Sequence, residues 1–252
     1  MENKLEYLDI ELWEKVLDED MNFHTGRTGS SKNIFHNTNA KLLPYLKDKS
    51  SALFVGSGFG GPAKYVARHT DVECELLTNA AIEYEHTRDL FTTHFKSVER
   101  FKPTKKYDIG IFVESLSSIL YYFEHLIIDP VEGLKSICDS CDEILFLDVF
   151  SSQNEKIHNT ILETQSYTHP EMVDLIHSMG YSIQHHVDWA AEDDDWMPLT
   201  TLRYKSRLNA LNEEDRENDG VVYLGSLLDE MYERKDWQAY NLQSGLYHIA
   251  KK

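Results

Sequence analysis

The chain has 252 residues, 41% of them hydrophobic, enough to bury a sizeable core and too apolar for a disordered chain. Its formal charge is −18, from 43 acids against 25 lysines and arginines. That balance argues against nucleic acid or an anionic membrane as the main partner, because both select basic surfaces, and it leaves room for a small ligand, a cationic one included.

The opening residues, Met1-Glu2-Asn3-Lys4-Leu5-Glu6, lack the basic-then-apolar pattern of a signal segment. No apolar run approaches the roughly 18 residues that span a bilayer. Three cysteines make no disulfide framework and fit a reducing compartment. The expectation is a cytoplasmic protein, monomer or homodimer, with no nucleic-acid or membrane partner.

A first helix is predicted from about Asp9 to Asp18, with Leu12, Trp13, Val16 and Leu17 at helical spacing. A loop from Asp20 to Ser31 carries Gly26 and Gly29, and a second helix covers about Asn33 to Leu46. Ala52-Leu53-Phe54-Val55 is a short apolar run that reads as a buried strand. Gly56-Ser57-Gly58-Phe59-Gly60-Gly61 follows at once, then Pro62, tolerated in a first helical turn, and a helix over Ala63 to Arg68.

The alternation continues. Strand two is predicted at Val72 to Thr78, a helix at Ala80 to Thr93, strand three at Phe95 to Phe101 and strand four at Asp108 to Val113. A helix over Val131 to Cys138 precedes strand five at Glu143 to Phe150. Helix His169 to Met179 stops at Gly180, a C-cap residue, and strand six is Tyr181 to Val187. Helices near Pro198 to Leu211 and Val222 to Lys235 lead to a last strand, Ala239 to Ala250. Repeated strand-helix units predict an α/β fold with a mostly parallel sheet.

Four glycines in six residues after a buried strand let backbone approach a ligand closely, and the following helix adds unpaired N–H groups and a positive dipole end. Gly56, Gly58 and Gly61 satisfy the dinucleotide spacing G-x-G-x-x-G, a weak match alone. A dehydrogenase usually has an acid at the end of strand two for a ribose hydroxyl. Here Glu73 and Glu75 lie early in the strand and its end is Thr78-Asn79.

The run Val55-Gly56-Ser57-Gly58-Phe59-Gly60-Gly61-Pro62-Ala63 resembles motif I of class I S-adenosylmethionine-dependent methyltransferases, especially the branch containing sarcosine/dimethylglycine and phosphoethanolamine N-methyltransferases. Phe23-His24-Thr25-Gly26, Val113-Glu114-Ser115-Leu116, the His169 to Tyr181 stretch and Gly245 to Lys251 are similar to that branch's cover segment, post-strand-four segment, late helix and closing strand. The chain departs from the pattern in three places. His94 to Tyr107 is short and lacks the acidic "GD" element beside the adenine. Cys138 to Asp142 replaces the "LKPGG" turn, and Asn79 stands where most of the family has an acid.

The resemblance implies a Rossmann-like class I methyltransferase fold with seven strands, the last antiparallel, an N-terminal helical cover and a late helical insertion. Residues 1–252 would form a single domain, with cover 1–48, cofactor-binding core 49–188, acceptor-site insertion 189–238 and closing strand 239–252. It implies S-adenosylmethionine as cofactor and methylation of a small metabolite, nitrogen favoured over oxygen. Gly56, Ser57, Gly58 and Gly60 would line the methionine and ribose, Asn79 (or Thr78) would bind ribose hydroxyls, and Thr25 and Gly26 would touch the cofactor's carboxylate. Glu114 and Ser115 would sit near sulfonium and acceptor, with His24 and Glu114 the catalytic candidates.

In the late insertion, aromatic faces bind protonated amines, which makes Trp189, Trp196, Tyr204 and Trp237 candidates. Arg203 and Arg207, four apart, could instead grip a substrate carboxylate. No metal is expected. Cys138-x-x-Cys141 has no second pair, His185 and His186 face opposite ways on a strand, and Glu192 to Asp195 lacks the pattern of a calcium loop. Two other readings stay open: an NAD(P)-dependent oxidoreductase, and a non-catalytic cofactor-binding subunit. An antiparallel strand inserted beside strand five separates a methyltransferase from the first.

Overall fold

The computed structural model describes residues 8–151, 157–159, 164–189, 196–234 and 242–252. Its centre is a seven-stranded sheet. Strands β1 (Ser51–Val55), β2 (Glu73–Thr78), β3 (Thr92–Phe95), β4 (Tyr107–Val113) and β5 (Cys141–Ser151) run parallel in the order β3-β2-β1-β4-β5. A short hairpin, β6 (Ile157–Asn159) and β7 (Thr164–Ser166), follows β5. Strand β9 (Leu242–Lys251) lies antiparallel between β5 and β8 (Tyr181–Asp188), with Phe146 opposite Tyr247. This inserted strand departs from the all-parallel order of dinucleotide-binding sheets.

Alternation along each strand divides the core. Leu53, Phe112, Phe146 and Tyr247 face one side, where they pack with helices α5 (Leu116–His125), α6 (Pro130–Ser140) and α7 (His169–Ser178). Phe54, Ile111, Leu145 and Leu246 face the other, against Val66 of α3 (Gly61–His69). Thr168 begins α7 with a full capping box to Glu171. At Gly133 in α6 an added Cβ would collide with the Phe123 ring, so the two helices meet at the width of a glycine.

A third cluster joins the two ends of the chain. Leu12, Trp13 and Val16 of α1 (Ile10–Val16) pack with Tyr204 and Leu208 of α8 (Trp196–Asn209) and Leu224 and Leu228 of α10 (Asp219–Arg234). Phe59 of the glycine turn belongs to the same cluster. The N-terminal segment and the late helices therefore form one cover over the mouth of the sheet.

Several boundaries differ from the sequence expectation. The second helix, α2 (Ile34–Ala40), is shorter, and a 3₁₀ turn at Leu43–Tyr45 follows, because Pro44 has no N–H for a continuing helix. Helix α4 is only Ala81–Thr87. Strand three sits earlier than Phe95 to Phe101: pairing Glu75 with Thr92 and Thr78 with Phe95 fixes β3 at Thr92–Phe95. Helix α5, the hairpin and the single-turn helix α9 (Glu213–Arg216) add to the predicted elements.

Candidate active site

A cavity of about 840 Å³ opens beyond the carboxyl ends of β1, β2, β4 and β5. That is the position expected for a ligand site in such a sheet. The glycine turn forms its wall. Gly56 and Ser57 both donate their N–H groups to the Leu77 carbonyl (2.9 and 3.1 Å), and Gly60 N–H closes the turn on Ser57 O at 3.0 Å.

The glycines have different jobs. Gly56 has φ +63°, and an added Cβ would lie 2.6 Å from Ser115 Cβ, so the turn and the post-β4 segment touch there. Ser115 donates its hydroxyl to Val55 O at 2.6 Å. Gly58, φ +55°, has nothing within 4 Å of the place a Cβ would take, which leaves that backbone open to a ligand. Gly60 does not line the cavity. It is the left-handed residue before α3, φ +80°, facing Leu76 and Thr87. Its expected contact with the cofactor is replaced by a packing role.

Glu114 sits one residue beyond β4 with φ +51°. Thr25 N–H donates to its Oε2 at 2.9 Å and the Thr25 hydroxyl donates to its Oε1. Thr25 is fixed in turn by Thr38, whose hydroxyl donates to Thr25 O at 2.8 Å. The cover loop is thereby tied to the strand end. The small exposed part of Glu114 faces the cavity, and protein encloses the rest. Burial pushes the Glu114 carboxyl up to about 7, with the nearby Asp148 charge adding and the Thr25 hydroxyl opposing.

Asp148, one residue along β5 from the Val113–Leu147 pair, also lines the cavity. It is 1% exposed and accepts from Val149 N at 2.8 Å and Ser117 N at 3.2 Å, closing the first turn of α5. Burial raises its carboxyl to about 6. A sequence signal for it exists: a single acid inside the apolar run Ile144 to Phe150.

Toward β2 and β3 the wall changes character. Asn79 is exposed at the end of β2 and lines the cavity. Thr78, its alternate, is buried with its hydroxyl on the Glu83 carboxylate. Burial raises the Glu83 carboxyl, and Glu83 lines the cavity. Ser97, Val98 and Glu99 lie beside it, in the segment that lacks the family's "GD" element. Glu99 accepts from Ser97 Oγ at 2.6 Å, while its Oε2 is buried with no hydrogen-bond partner among the described residues.

The structure brings Thr25, Gly56, Ser57, Gly58, Asn79, Glu114 and Ser115 together around the cavity, with His24. His24 is buried, its Nδ1 on Thr25 O at 2.9 Å and its Nε2 on Asn22 Oδ1 at 3.0 Å. Burial lowers it to about 4. Both ring nitrogens lie against cover-loop atoms, and the neutral ring donates through only one of them, so His24 braces the loop. Gly26 packs on Ile34 and donates its N–H to Thr200 Oγ1 at 2.7 Å, outside the cavity wall.

Three of the six acceptor candidates, Trp189, Arg203 and Arg207, are elsewhere. Trp189 is buried in the core, and its ring carries the chain's own Arg27 guanidinium at 4.5 Å. Arg203 is exposed and off the cavity. Arg207 lies one turn past Tyr204 and donates to the Leu17 carbonyl at the end of α1. Arg207→Ala is therefore expected to lower stability by about 1–2 kcal/mol in urea unfolding and to leave acceptor KM unchanged; a raised KM with unchanged stability would restore the substrate role. Of the other aromatics, Tyr204 does line the cavity, held by its hydroxyl to His24 O at 3.1 Å. Trp196 is buried in a small core cluster, and Trp237 and Glu192 to Asp195 lie outside the described residues. Cys74, Cys138 and Cys141 are free and buried, with burial raising the thiols to about 12, 11 and 12.

The sequence matches no protein-family model and no curated protein. Solved structures do match. The cyclopropane synthase MmaA2 from Mycobacterium tuberculosis is 11% identical over 99% of this chain and 97% of its own, with a TM-score of 0.77. Coclaurine N-methyltransferase, bound to N-methylheliamine and S-adenosylhomocysteine (SAH), is 13% identical over 98% and 83%, TM-score 0.75. The [4+2]-cyclase SpnF is 13% identical over 99% and 94%, TM-score 0.74.

The fold is the Rossmann-like fold of class I methyltransferases. Antiparallel β9 beside β5 is the feature that separates it from a dinucleotide-binding oxidoreductase. The similar structures catalyse different reactions by their names, so the chemistry has to come from the cavity. Among the described residues, no helix is long and apolar enough to cross a membrane.

Proposed function

We propose that the protein is an S-adenosylmethionine-dependent methyltransferase acting on a small metabolite, with nitrogen as the favoured acceptor atom. The observation that carries this reading is the pairing of an open Gly58 backbone at the glycine turn with the Glu114 carboxylate, held by Thr25 and reaching the same cavity from the neighbouring strand end. The residues fit the cofactor. Ser57 Oγ and Glu99 Oε2 are both buried without partners among the described residues, and the place of a Gly58 Cβ is empty. Buried polar atoms of this kind are costly unless a ligand completes them.

In this reading Gly58 and Ser57 hold the methionine part, Asn79 and Glu83 the ribose hydroxyls, and Glu99 the adenine amino group. Bound cofactor would supply a sulfonium methyl to an acceptor lone pair, with the sulfur as leaving group keeping the bonding electron pair. The chain's share is alignment and exclusion of water beneath α8 and α10. An ammonium has no lone pair, and ionised Glu114 takes its proton at a carboxylate oxygen, with Thr25 holding that oxygen in place.

Two expected outcomes follow from these assignments. Incubation with the cofactor and a panel of amines, read by mass spectrometry, yields products heavier by one methyl in place of hydrogen; conversion of alcohols but no amine would overturn the nitrogen preference. Glu99→Ala is expected to weaken cofactor binding about tenfold by calorimetry, and an unchanged affinity would remove Glu99 from the adenine site.

A further inference from the structure

The order of the strands gives the cavity two ends. Lys96 and Glu99, beyond β3, mark one. Glu114, Asp148 and Val149, from the ends of β4 and β5, mark the other, with Leu242 at the start of β9. Helix α8 brings Met197 to this second end, where it packs with Val149 and Leu242. Leu224 and Leu227 of α10 complete the roof.

The second end thus has two carboxyls in its floor and a roof that mixes Met197, Leu224 and Leu227 with the hydroxyl side chains of Thr200, Thr201 and Tyr204 on α8. Val113 pairs with Leu147, and Glu114 N–H donates to Leu147 O at 2.7 Å, so Glu114 and Asp148 follow adjacent positions on neighbouring strands. Among the described residues the lining holds one Lys or Arg, Lys96, and it lies at the opposite end. The arginines that the sequence offered for a carboxylate are outside: Arg203 in solvent and Arg207 on α1.

These facts select a ligand by charge and surface. A carboxylate or phosphate placed here would face the Glu114 and Asp148 carboxyls with no Lys or Arg in the lining beside it; the one cation acting on Glu114, Arg27, is buried outside the lining, against Trp189. A cation offsets both acids, and an apolar body replaces water against Met197, Leu224 and Leu227. We infer that the acceptor is an amine on an apolar body, free of carboxylate and phosphate, with its cationic head between Glu114 and Asp148. This rests on the methyl-transfer reading and departs from the zwitterionic and phosphorylated acceptors of the branch that the glycine motif resembles.

The test is calorimetry on protein loaded with SAH, which measures binding without turnover. The probes are 2-phenylethylamine, 2-phenylethanol and L-phenylalanine, which share a ring and differ in charge, with n-octylamine and 1-octanol as a second body. At least one amine is expected to bind about tenfold or more tighter than its alcohol, with L-phenylalanine weaker than 2-phenylethylamine. Glu114→Gln should shrink the amine-over-alcohol preference about tenfold while SAH still binds. The inference is overturned if L-phenylalanine binds best, if the alcohols match the amines, or if no probe amine binds to the loaded protein. Failure of SAH to load would overturn the methyl-transfer reading itself, a separate and earlier result.

Discussion

Gly58→Val is expected to weaken S-adenosylmethionine binding by about a hundredfold or more while the protein stays folded. Gly58 has φ +55°, a conformation that a β-branched residue adopts only under strain of about 1–2 kcal/mol. Nothing lies within 4 Å of the new Cβ, so no packed neighbour is displaced and the fold tolerates the change. The same open space is where the ligand would sit, and the valine methyls occupy it. Gly58→Ala should lose less, because one methyl intrudes less far. Calorimetry with the cofactor, alongside a thermal melt, checks both; a folded Gly58→Val protein with undiminished affinity would sink the assignment of the turn.

Glu114→Gln should lower kcat about a hundredfold near neutral pH, with the deficit shrinking as pH rises and more of the free amine arrives unprotonated. A purely structural role would not give that pH-dependent recovery. The same substitution should stabilise the protein at alkaline pH. Burial raises the Glu114 carboxyl to about 7 against 4.5 unfolded, so the folded state favours the protonated form. The contribution is fully present below about pH 4.5 and is lost as pH rises through 7, amounting to about 3 kcal/mol. Asp148, raised from 3.8 to about 6, runs in the same direction, and its charge adds to the rise at Glu114. Urea unfolding of ligand-free protein should find the two proteins alike near pH 4.5 and the variant more stable at pH 8.5. A variant less stable at pH 8.5 would show that the ionised Glu114 is supported by contacts that outweigh its burial.

Much of the fold is legible in the sequence because the parallel strands are continuous apolar runs. Ala52 to Val55 and Ile109 to Phe112 are buried on both faces and leave little choice of structure. Strand three lies away from its expected place because Thr92-Thr93-His94-Phe95 is polar and sits at the sheet edge, where no apolar run marks it. The glycine turn is legible for the same reason as the strand before it, since its spacing follows from local backbone needs. The division of labour among its glycines is not: Gly60 serves α3 and Gly58 serves the cavity, a difference that depends on Leu76 and Thr87, far along the chain.

The acceptor end is the least legible part. The spacing of Arg203 and Arg207 shows that they share a helix face and says nothing about what that face meets. Only packing of α1 on α8 reveals that Arg207 reaches Leu17. Trp189 is an aromatic that holds a cation, as its residue type suggests, but the cation is Arg27. Asp148 is the stronger signal in the sequence, because an ionisable group in an apolar strand must be capped or used, yet motif spacing alone does not point to it.

Calorimetric titration of the ligand-free protein with SAH, and separately with NAD, tests the central claim most directly. Saturable one-to-one binding of SAH and no heat of binding from NAD is the predicted result. Binding of NAD with none of SAH would contradict it.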